Sequence, residues 1–401
     1  MEGRSEARST LGIQTPSGNV IASHKAKNST CEFWSGVTVA PEVMSRRTAA
    51  SAASTPKTHG GPKMGDRHRP KKGSMGFGPR KRAARPYGRV KSWPNNEADE
   101  VRVQGFAGWK AGMTHILMRD LNPGSPSAGA EVRKAVTVVE VPPMLVLAVR
   151  GYKMTPYGKQ TAGEAWADAE KLSDSLPDLP RRIPERKEHD SAAHLEKLKE
   201  SNLVEVRVIV ATQPDKISAV GSKTPGIMEI GLTGGDTSAK LEWAAEKLGE
   251  ELGIDDVFTP GSDIDVIGVT KGYGNQGVVR RFGVKLLSHK NSKRRRQIGN
   301  MGDFGTGYVR KTIRQAGQTG YHQRTEYNKR ILRISNEDDD QITPAGGFLH
   351  YGELNNQYLM IQGSLPGPAK RLIRFRDAAR PRSEQPSVDI TYVSTASKQG
   401  V

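Results

Sequence analysis

The sequence predicts a mostly β protein with an α/β insertion and two long, irregular, basic extensions. Three observations predict it. Short β-branched runs recur between turn residues at barrel-like spacing. One well-patterned amphipathic helix stands among charged, helix-compatible stretches in the middle of the chain. Positive charge is gathered into two blocks that keep neither a helical nor a strand period.

The charge blocks decide most. The 401 residues carry a formal net charge of +18, and the mean hydropathy of −0.61 lies on the polar side of globular. Residues 271–333 hold 16 Lys and Arg against two acids, Asp303 and Glu326. Residues 64–93 hold 10 against one, whereas residues 94–270 hold 20 against 28. A merely basic protein would spread its charge. This distribution describes an ordinary folded body with two polycationic extensions. Such a segment cannot bury itself, because its charges would lose water without gaining partners. A large polyanion satisfies it, and nucleic acid is the obvious one.

The length leaves room for two or three domains with a real core. Cys31 is the single cysteine, so neither a disulfide framework nor a cysteine-based zinc site is available, which fits a reducing compartment. The longest apolar run, near residues 141–149, contains Pro142 and Pro143 and falls far short of a membrane span. With no secretory h-region in the sequence, the expectation is a soluble intracellular protein without a membrane partner.

Residues 1–63 are expected to be a disordered extension: Ser, Thr, Ala and Gly dominate, and no periodicity develops. A targeting leader is one reading, but Glu2 and Glu6 speak against the acid-poor transit type. The favoured reading is that translation begins at Met64. From there Gly and Pro punctuate every few residues, and Lys71, Lys72, Arg80, Lys81, Arg82, Arg85, Arg89 and Lys91 ride on an irregular backbone. A nuclear-localisation patch or a solvated tail is the plain reading. Phe77, Tyr87 and Trp93 favour an arm that orders on RNA, where planar side chains stack on unpaired bases.

The folded body follows. Residues 105–118 mix Gly with apolar and aromatic residues, as strands at a barrel corner do. Residues 135–141 and 144–150 predict two strands separated by the Pro142-Pro143 turn. Residues 163–172 and 185–200 are charged and helix-compatible, with prolines between them. Residues 203–211 and 225–232 predict strands. Residues 236–252 predict the best helix, capped near Asp236, with Leu241, Ala245, Leu248 and Leu252 on one face and Gly253 at its end. Residues 264–270 predict the strand that delivers the chain into the basic segment, and 346–352, 357–363, 371–376 and 388–393 predict further short strands.

Catalytic constellations do not emerge. Gly272, Gly274 and Gly277 fit a GxGxxG pattern after a strand, but no helical period follows and the region about 20 residues on is basic, where a dinucleotide site needs an acid. These glycines are read instead as letting the backbone approach a phosphate chain. His289, His322 and His350 have no paired metal-ligand spacing. Asp338, Asp339 and Asp340 read as a solvated loop before a Mg²⁺ cluster, and no GxSxG occurs. No metal, cofactor or enzymatic activity is expected.

The basic segment has a finer grain. Arg280, Arg281, Lys285 and Lys290 lead to the cluster Lys293, Arg294, Arg295 and Arg296, which is phosphate-directed. The stretch 299–307 then loses every charge except Asp303, with Met301 and Phe304 as its only bulky members. Arg310, Lys311 and Arg314 resume the cations, and Gln318, Tyr321, His322 and Arg324 close the segment. A hairpin with two cationic legs and a glycine-rich tip is shaped to thread a narrow RNA crevice.

GSMGFGPRKRA (73–83), GFAGWKAGMTH (105–115), AVTVVEVPPM (135–144), VTKGYGNQGVVRRFGVK (269–285), AGQTGYHQRTEYNKR (316–330) and GGFLHYGE (346–353) closely resemble the large-subunit ribosomal protein L three family, its archaeal branch especially. The resemblance runs from Met64 to about Ser397, and the family starts its chain at about Met64. It implies a closed translation-protein-type β-barrel (94–150 and 261–401) with an α/β insertion (151–260), a basic N-terminal arm (64–93) and a long rRNA-penetrating loop (271–333). It further implies a structural, non-catalytic protein that binds large-subunit rRNA early in assembly. Its partners would be that rRNA and neighbouring large-subunit proteins, it would not form a homo-oligomer, and its place would be the large ribosomal subunit in the cytoplasm. The loop tip, carried over to Gly302, Asp303, Phe304, Gly305 and Thr306, would approach the peptidyl transferase centre. Family members place a Trp and a Pro-containing stretch there; this chain has Phe304, a smaller ring, on a freer Gly-Thr-Gly backbone. The competing reading is a barrel enzyme or a free nucleic-acid-binding regulator with the basic loop as a lid. It rests only on GYGNQG and the barrel-like strands.

Overall fold

The computed structural model describes residues 73, 75, 78–96, 100–184, 189–291, 293–303, 305–336, 338–382 and 386–397. They belong to one compact unit, residues 71–401. The expectations for residues 1–63, Lys71, Lys72, Phe77 and Phe304 lie outside the described residues.

The described chain is mostly β, with few and short helices. In order, the strands are β1 (Arg102–Val103), β2 (Gly105–Arg119), β3 (Glu131–Glu140), β4 (Met144–Thr155), β5 (Gly158–Trp166), β6 (Glu205–Thr212), β7 (Ile227–Thr233) and β8 (Glu251–Leu252). Then come β9 (Asp263–Val269), β10 (Gly272–Gln276), β11 (Gly317–Gly320), β12 (Gln323–Ser335), β13 (Tyr358–Gln362), β14 (Leu372–Asp377) and β15 (Asp389–Val393). The α-helices are Ala169–Ser175, Ser191–Glu200, Thr237–Glu246 and Val278–Phe282.

The strands form two large antiparallel sheets and one small ribbon. The first sheet runs β1-β7-β6-β4-β5, with β8 on β4. The second runs β14-β9-β12-β13-β3-β2-β15, and β14 also pairs with β2, so the succession of pairings returns to its start. The ribbon pairs β10 with β11.

Alternation explains which residues build each strand. On β6, Val206, Val208 and Val210 join one apolar cluster while Ile209 and Ala211 join another. The β4 run is apolar throughout because both its faces are covered. Met144 and Val146 enter the first cluster, Leu145, Leu147 and Ala148 the second, and a register shift between Val146 and Ala148 resets the alternation. The helices supply the covers: Leu198, Leu241 and Ala244 on one face, Leu172 on the other. In the second sheet Ile264, Val266, Leu359, Ile361, Ile373 and Phe375 share one cluster, and Trp109, Val136, Val138, Tyr358 and Met360 occupy another.

Several sequence expectations need correction. Residues 163–166, expected to be helical, end β5, where Gly163 pairs with Gly151 and Trp166 with Ala148. Edge pairing to β4 outweighs their helical propensity. The helix expected over 236–252 stops at Glu246, and Gly249 turns with φ +83°; Glu251 and Leu252 then pair with Leu145 and Met144 as β8. Residues 346–352 form turns closed by a Phe348–Gly352 bridge rather than a strand. The basic segment is more regular than its composition implies. Residues 272–276 and 317–320 form the ribbon, residues 278–282 form a short helix, and residues 323–333 already belong to β12. Among the described residues, the long irregular part is therefore 283–316.

Several charged groups inside the body are matched to one another. Asp265, fully buried on β9, accepts from Arg376 Nη2 at 2.9 Å and from the Ala379 and Asn328 amides at 3.1 and 3.2 Å. Asp377 binds Arg102 at 3.0 Å. Glu229 takes Arg150 at 3.2 Å and Arg207 at 3.3 Å. Removing one member of such a buried pair strands the other charge. Asp265→Ala is therefore expected to cost about 3–5 kcal/mol of stability, read as a lower urea midpoint at unchanged slope; a midpoint equal to wild type contradicts this account.

Candidate nucleic-acid interface

The arm is seated on the outer face of the second sheet by main-chain contacts. Ala83 N donates to Tyr321 O at 2.8 Å, and Gln323 binds both Arg89 N (3.2 Å) and Arg89 O (2.7 Å). Arg371 Nη1 reaches Pro86 O at 3.2 Å, and Arg376 Nη1 reaches Ser92 O at 2.6 Å. Gly88 makes the approach possible. A Cβ there would meet Ile267 Cγ2 at 2.6 Å and the Gly268 nitrogen at 3.3 Å, so any side chain would lift the arm off β9.

The aromatics expected to stack on bases are used differently. Arg374 lies over the Tyr87 ring at 4.7 Å, and Arg85 donates to Tyr87 Oη at 3.3 Å. Trp93 packs beside Gly105 and Gly231 on the body. Both rings anchor the arm. Its cations face outward: Lys81, Arg82 and Arg85 are exposed, while Arg80 is half-buried over Phe282 at 4.2 Å.

Arg281 ties the arm to the loop. Its guanidinium donates to Gln318 O at 3.0 Å and Gln315 O at 2.9 Å, and reaches Ala316 O and Arg80 O at 3.4 Å. Arg80 Nη1 answers to Arg281 O at 3.2 Å. The sequence marked Arg281 as a phosphate contact; its donors are instead taken up by backbone carbonyls of the returning leg and the arm. Gln318 is likewise turned inward, donating to Gly320 O at 2.9 Å. The short helix that presents Arg280 and Arg281 ends at Gly283, whose left-handed φ of 67° lets Gly283 N reach Val279 O. The GxGxxG glycines sit on the β10 ribbon strand and at the start of this helix, which is the five-residue element the sequence did not predict.

Beyond Gly283 the loop keeps its charges in the open. Among the described residues from 281 to 319 none is buried, and only Val284, Leu287, Ile298, Val309 and Ile313 pack even partly within 284–316. Lys285, Lys290, Lys293, Arg294, Arg295 and Arg296 are exposed on the outgoing leg, and Arg310, Lys311 and Arg314 on the returning one. The ion pairs of the described residues lie in the body, and none joins a carboxylate to these nine cations. Leu287 N donates to Arg295 O at 3.1 Å, closing a small internal turn at the cluster.

At the tip Gly302, Asp303, Gly305 and Thr306 are all exposed. Asn300 Oδ1 accepts from Gly302 N at 2.7 Å, and Asp303 Oδ1 from Gly305 N at 2.9 Å. Thr306 Oγ1 donates to Tyr308 O at 3.0 Å. Local side-chain-to-backbone bonds shape the tip in place of a packed core.

At the loop root, Tyr321 adopts φ 53° and carries Arg371 over its ring at 5.2 Å. His322 Nδ1 lies 3.0 Å from Lys81 O, which only accepts, so Nδ1 carries the hydrogen. Burial, and then the nearby Arg324, Arg80 and Arg281 charges, hold His322 below the ordinary histidine value against the raising effect of that carbonyl. Arg324 beside it is exposed. The sequence missed Arg371, Arg374 and Arg376, which read as an alternating strand; their register under the arm depends on pairing between residues far apart in the chain.

Asp340 accepts from Arg333 at 3.1 Å and Ser335 at 3.2 Å, and the described residues contain no group of three or more His, Cys, Asp or Glu placed to hold a metal. No helix among the described residues is long and apolar enough to cross a membrane.

A profile of the family described as Ribosomal protein L3 matches residues 64–400. Three proteins described as large ribosomal subunit protein uL3 align with the chain over most of both lengths. The protein of Archaeoglobus fulgidus is 50% identical over 337 residues, covering 83% of this chain and 99% of the relative. That of Methanopyrus kandleri is 47% identical over 339 residues, 83% of this chain and 92% of the relative. That of Natronomonas pharaonis is 46% identical over 341 residues, 83% of this chain and 98% of the relative. On a profile match that spans most of its length and on relatives near half identity, this chain belongs to the ribosomal protein L3 family, in its archaeal form.

Proposed function

We propose that the protein is a structural, non-catalytic constituent of the large ribosomal subunit in the cytoplasm, and that it binds large-subunit rRNA through the arm and the loop. The observation that carries this reading is the stretch 283–316, which exposes nine cations without a carboxylate partner among the described residues. Held near one another, like charges repel. Phosphates lower that repulsion and release their own counterions in doing so.

In this reading the ring of strand pairings is the closed translation-protein-type barrel, made from 94–150 and 261–401, with 151–260 inserted and 271–333 reaching out as the loop. The phosphate contacts fall to Lys81, Arg82 and Arg85 of the arm, with Lys71 and Lys72 before them. On the loop they fall to Lys285, Lys290, the 293–296 cluster, Arg310, Lys311, Arg314 and Arg324. Arg80, Arg280, Gln318, Tyr321 and His322 line the root, and Arg281 acts as its clamp. The protein supports early subunit assembly, and residues 302–306 point toward the peptidyl transferase centre. Neighbouring subunit proteins abut the body, and the chain does not pair with itself.

Two measurements test it. If roughly ten loop and arm cations meet phosphates, the affinity of the full chain for its large-subunit rRNA falls with a log–log salt slope on the order of −7 to −9; a slope near zero removes the reading. Replacing Lys293, Arg294, Arg295 and Arg296 together by Ala should flatten that slope by about 3 to 4 units and leave thermal melting of the free protein unchanged. A sharply lower melting point in that variant would show the cluster to be part of the fold.

A further inference from the structure

Two arginines stand side by side on the outward row of β14, and only one has a counter-charge among the described residues. Ile373 and Phe375 point into the core, so Arg374 and Arg376 share the opposite face, beneath the arm. Arg376 is matched by Asp265 at 2.9 Å. Arg374 is as deeply buried, at 5% exposure, yet among the described residues no carboxylate pairs with it. It donates from Nη2 to Ile227 O at 3.0 Å, its Nε has no partner, and Tyr87 covers it. The next cation, Arg85, lies 5.9 Å from the centre of the same ring and adds repulsion. Burial, and with it Arg85, pushes the Arg374 guanidinium down to about 10 against the favourable Tyr87 contribution.

Arg374 lines a cavity of about 1400 Å³ between the arm and the first sheet. Its lining includes Arg80, Arg82, Arg85, Arg207 and Arg324, and Glu229 is its one carboxylate among the described residues. Glu229 is already occupied by Arg150, Arg207 and Tyr152. The volume exceeds the roughly 300–1,000 Å³ of small-molecule sites, so the space suits a length of polymer. A buried cation without a partner is costly and is stabilised by an anion brought to it.

We propose that this cleft is a third RNA contact, separate from the loop: it seats a phosphodiester of the large-subunit rRNA against Arg374 and Arg85, with Tyr87 holding the two guanidinium groups in place. The inference rests on the rRNA-binding reading above. The phosphate supplies the charge that Asp265 supplies to Arg376, so the second sheet meets RNA through its own outer face and not only through the loop.

The test uses the full chain and a transcript of its large-subunit rRNA. Arg374→Met keeps the apolar stem and removes the charge. Expected are a Kd higher by about tenfold at fixed salt, the size of one charge-assisted contact, and a salt slope flatter by about one unit. Melting of the RNA-free protein should stay level or rise, because replacing an unmatched buried charge by an apolar side chain relieves it. Arg85→Gln, at an exposed position, should weaken binding alike without moving the melting point. Lys153→Met, an equal loss of charge on exposed β4 outside the cleft, should leave affinity unchanged. A steep wild-type slope that Arg374→Met and Arg85→Gln both leave intact overturns the cleft, and with it the Arg85 contact of the arm, but leaves the rRNA-binding reading standing on the loop. A lower melting point for Arg374→Met with an unaltered slope makes Arg374 structural and overturns it too. A flat wild-type slope overturns the rRNA reading and the cleft with it.

Discussion

The Arg281 guanidinium sets the geometry of the cationic surface. It lies where the arm, the short helix and the returning leg of the loop converge, and it binds backbone oxygens from residues 80, 315, 316 and 318. A planar fork of donors can join three segments at once, which the single ammonium of a lysine does less well. The loop beyond it contributes almost no buried surface of its own. Its direction is therefore inherited from the root. Since the arm shares that root through the reciprocal Arg80 contact, the two cationic extensions leave the body as one arranged unit.

Charge management divides the molecule into two regimes. Inside the body Asp265 meets Arg376 and Asp377 meets Arg102, while the buried Glu140 is satisfied by Tyr351, Asn355 and Asn356. There the low local dielectric makes an unpaired charge expensive. On the loop the same residue types stay hydrated and separate, so the free protein has little to gain from ordering them. Arg374 belongs to neither regime: it is buried like the first group and unmatched like the second.

The sequence displayed the strands well wherever local alternation and burial agreed. Residues 203–211 and 371–376 are cases, since their period of two is also the period of their packing. It misled at 163–166 and 247–252, where helix-compatible residues were drawn into pairing along β4, a partner no local window contains. The cationic character of residues 271–333 was plain from composition. The division of labour within it was not: that Arg281 looks inward while Arg294 looks outward depends on where carbonyls from residues 80 and 315–318 come to rest. Tyr87 misread for a related reason. An exposed-looking aromatic among arginines suits stacking on bases, and only the β14 row beneath it reveals what the ring covers.

The pairing of β2 with β14 and β15 has a consequence for biogenesis. β2 ends at residue 119, but its edge partners begin at residues 372 and 389. The strand pairings of the first sheet all lie within residues 102–252, so they can form while the chain is still growing, although one face of that sheet then waits for Ile264, Leu359 and Phe375 to cover it. β2, in contrast, waits with one edge open until nearly the whole polypeptide has emerged, and in that interval first the arm and later the loop become available to any stray polyanion. A nascent chain ordered this way needs a custodian, or a quick handover to its RNA, more than a protein whose first strands find each other early.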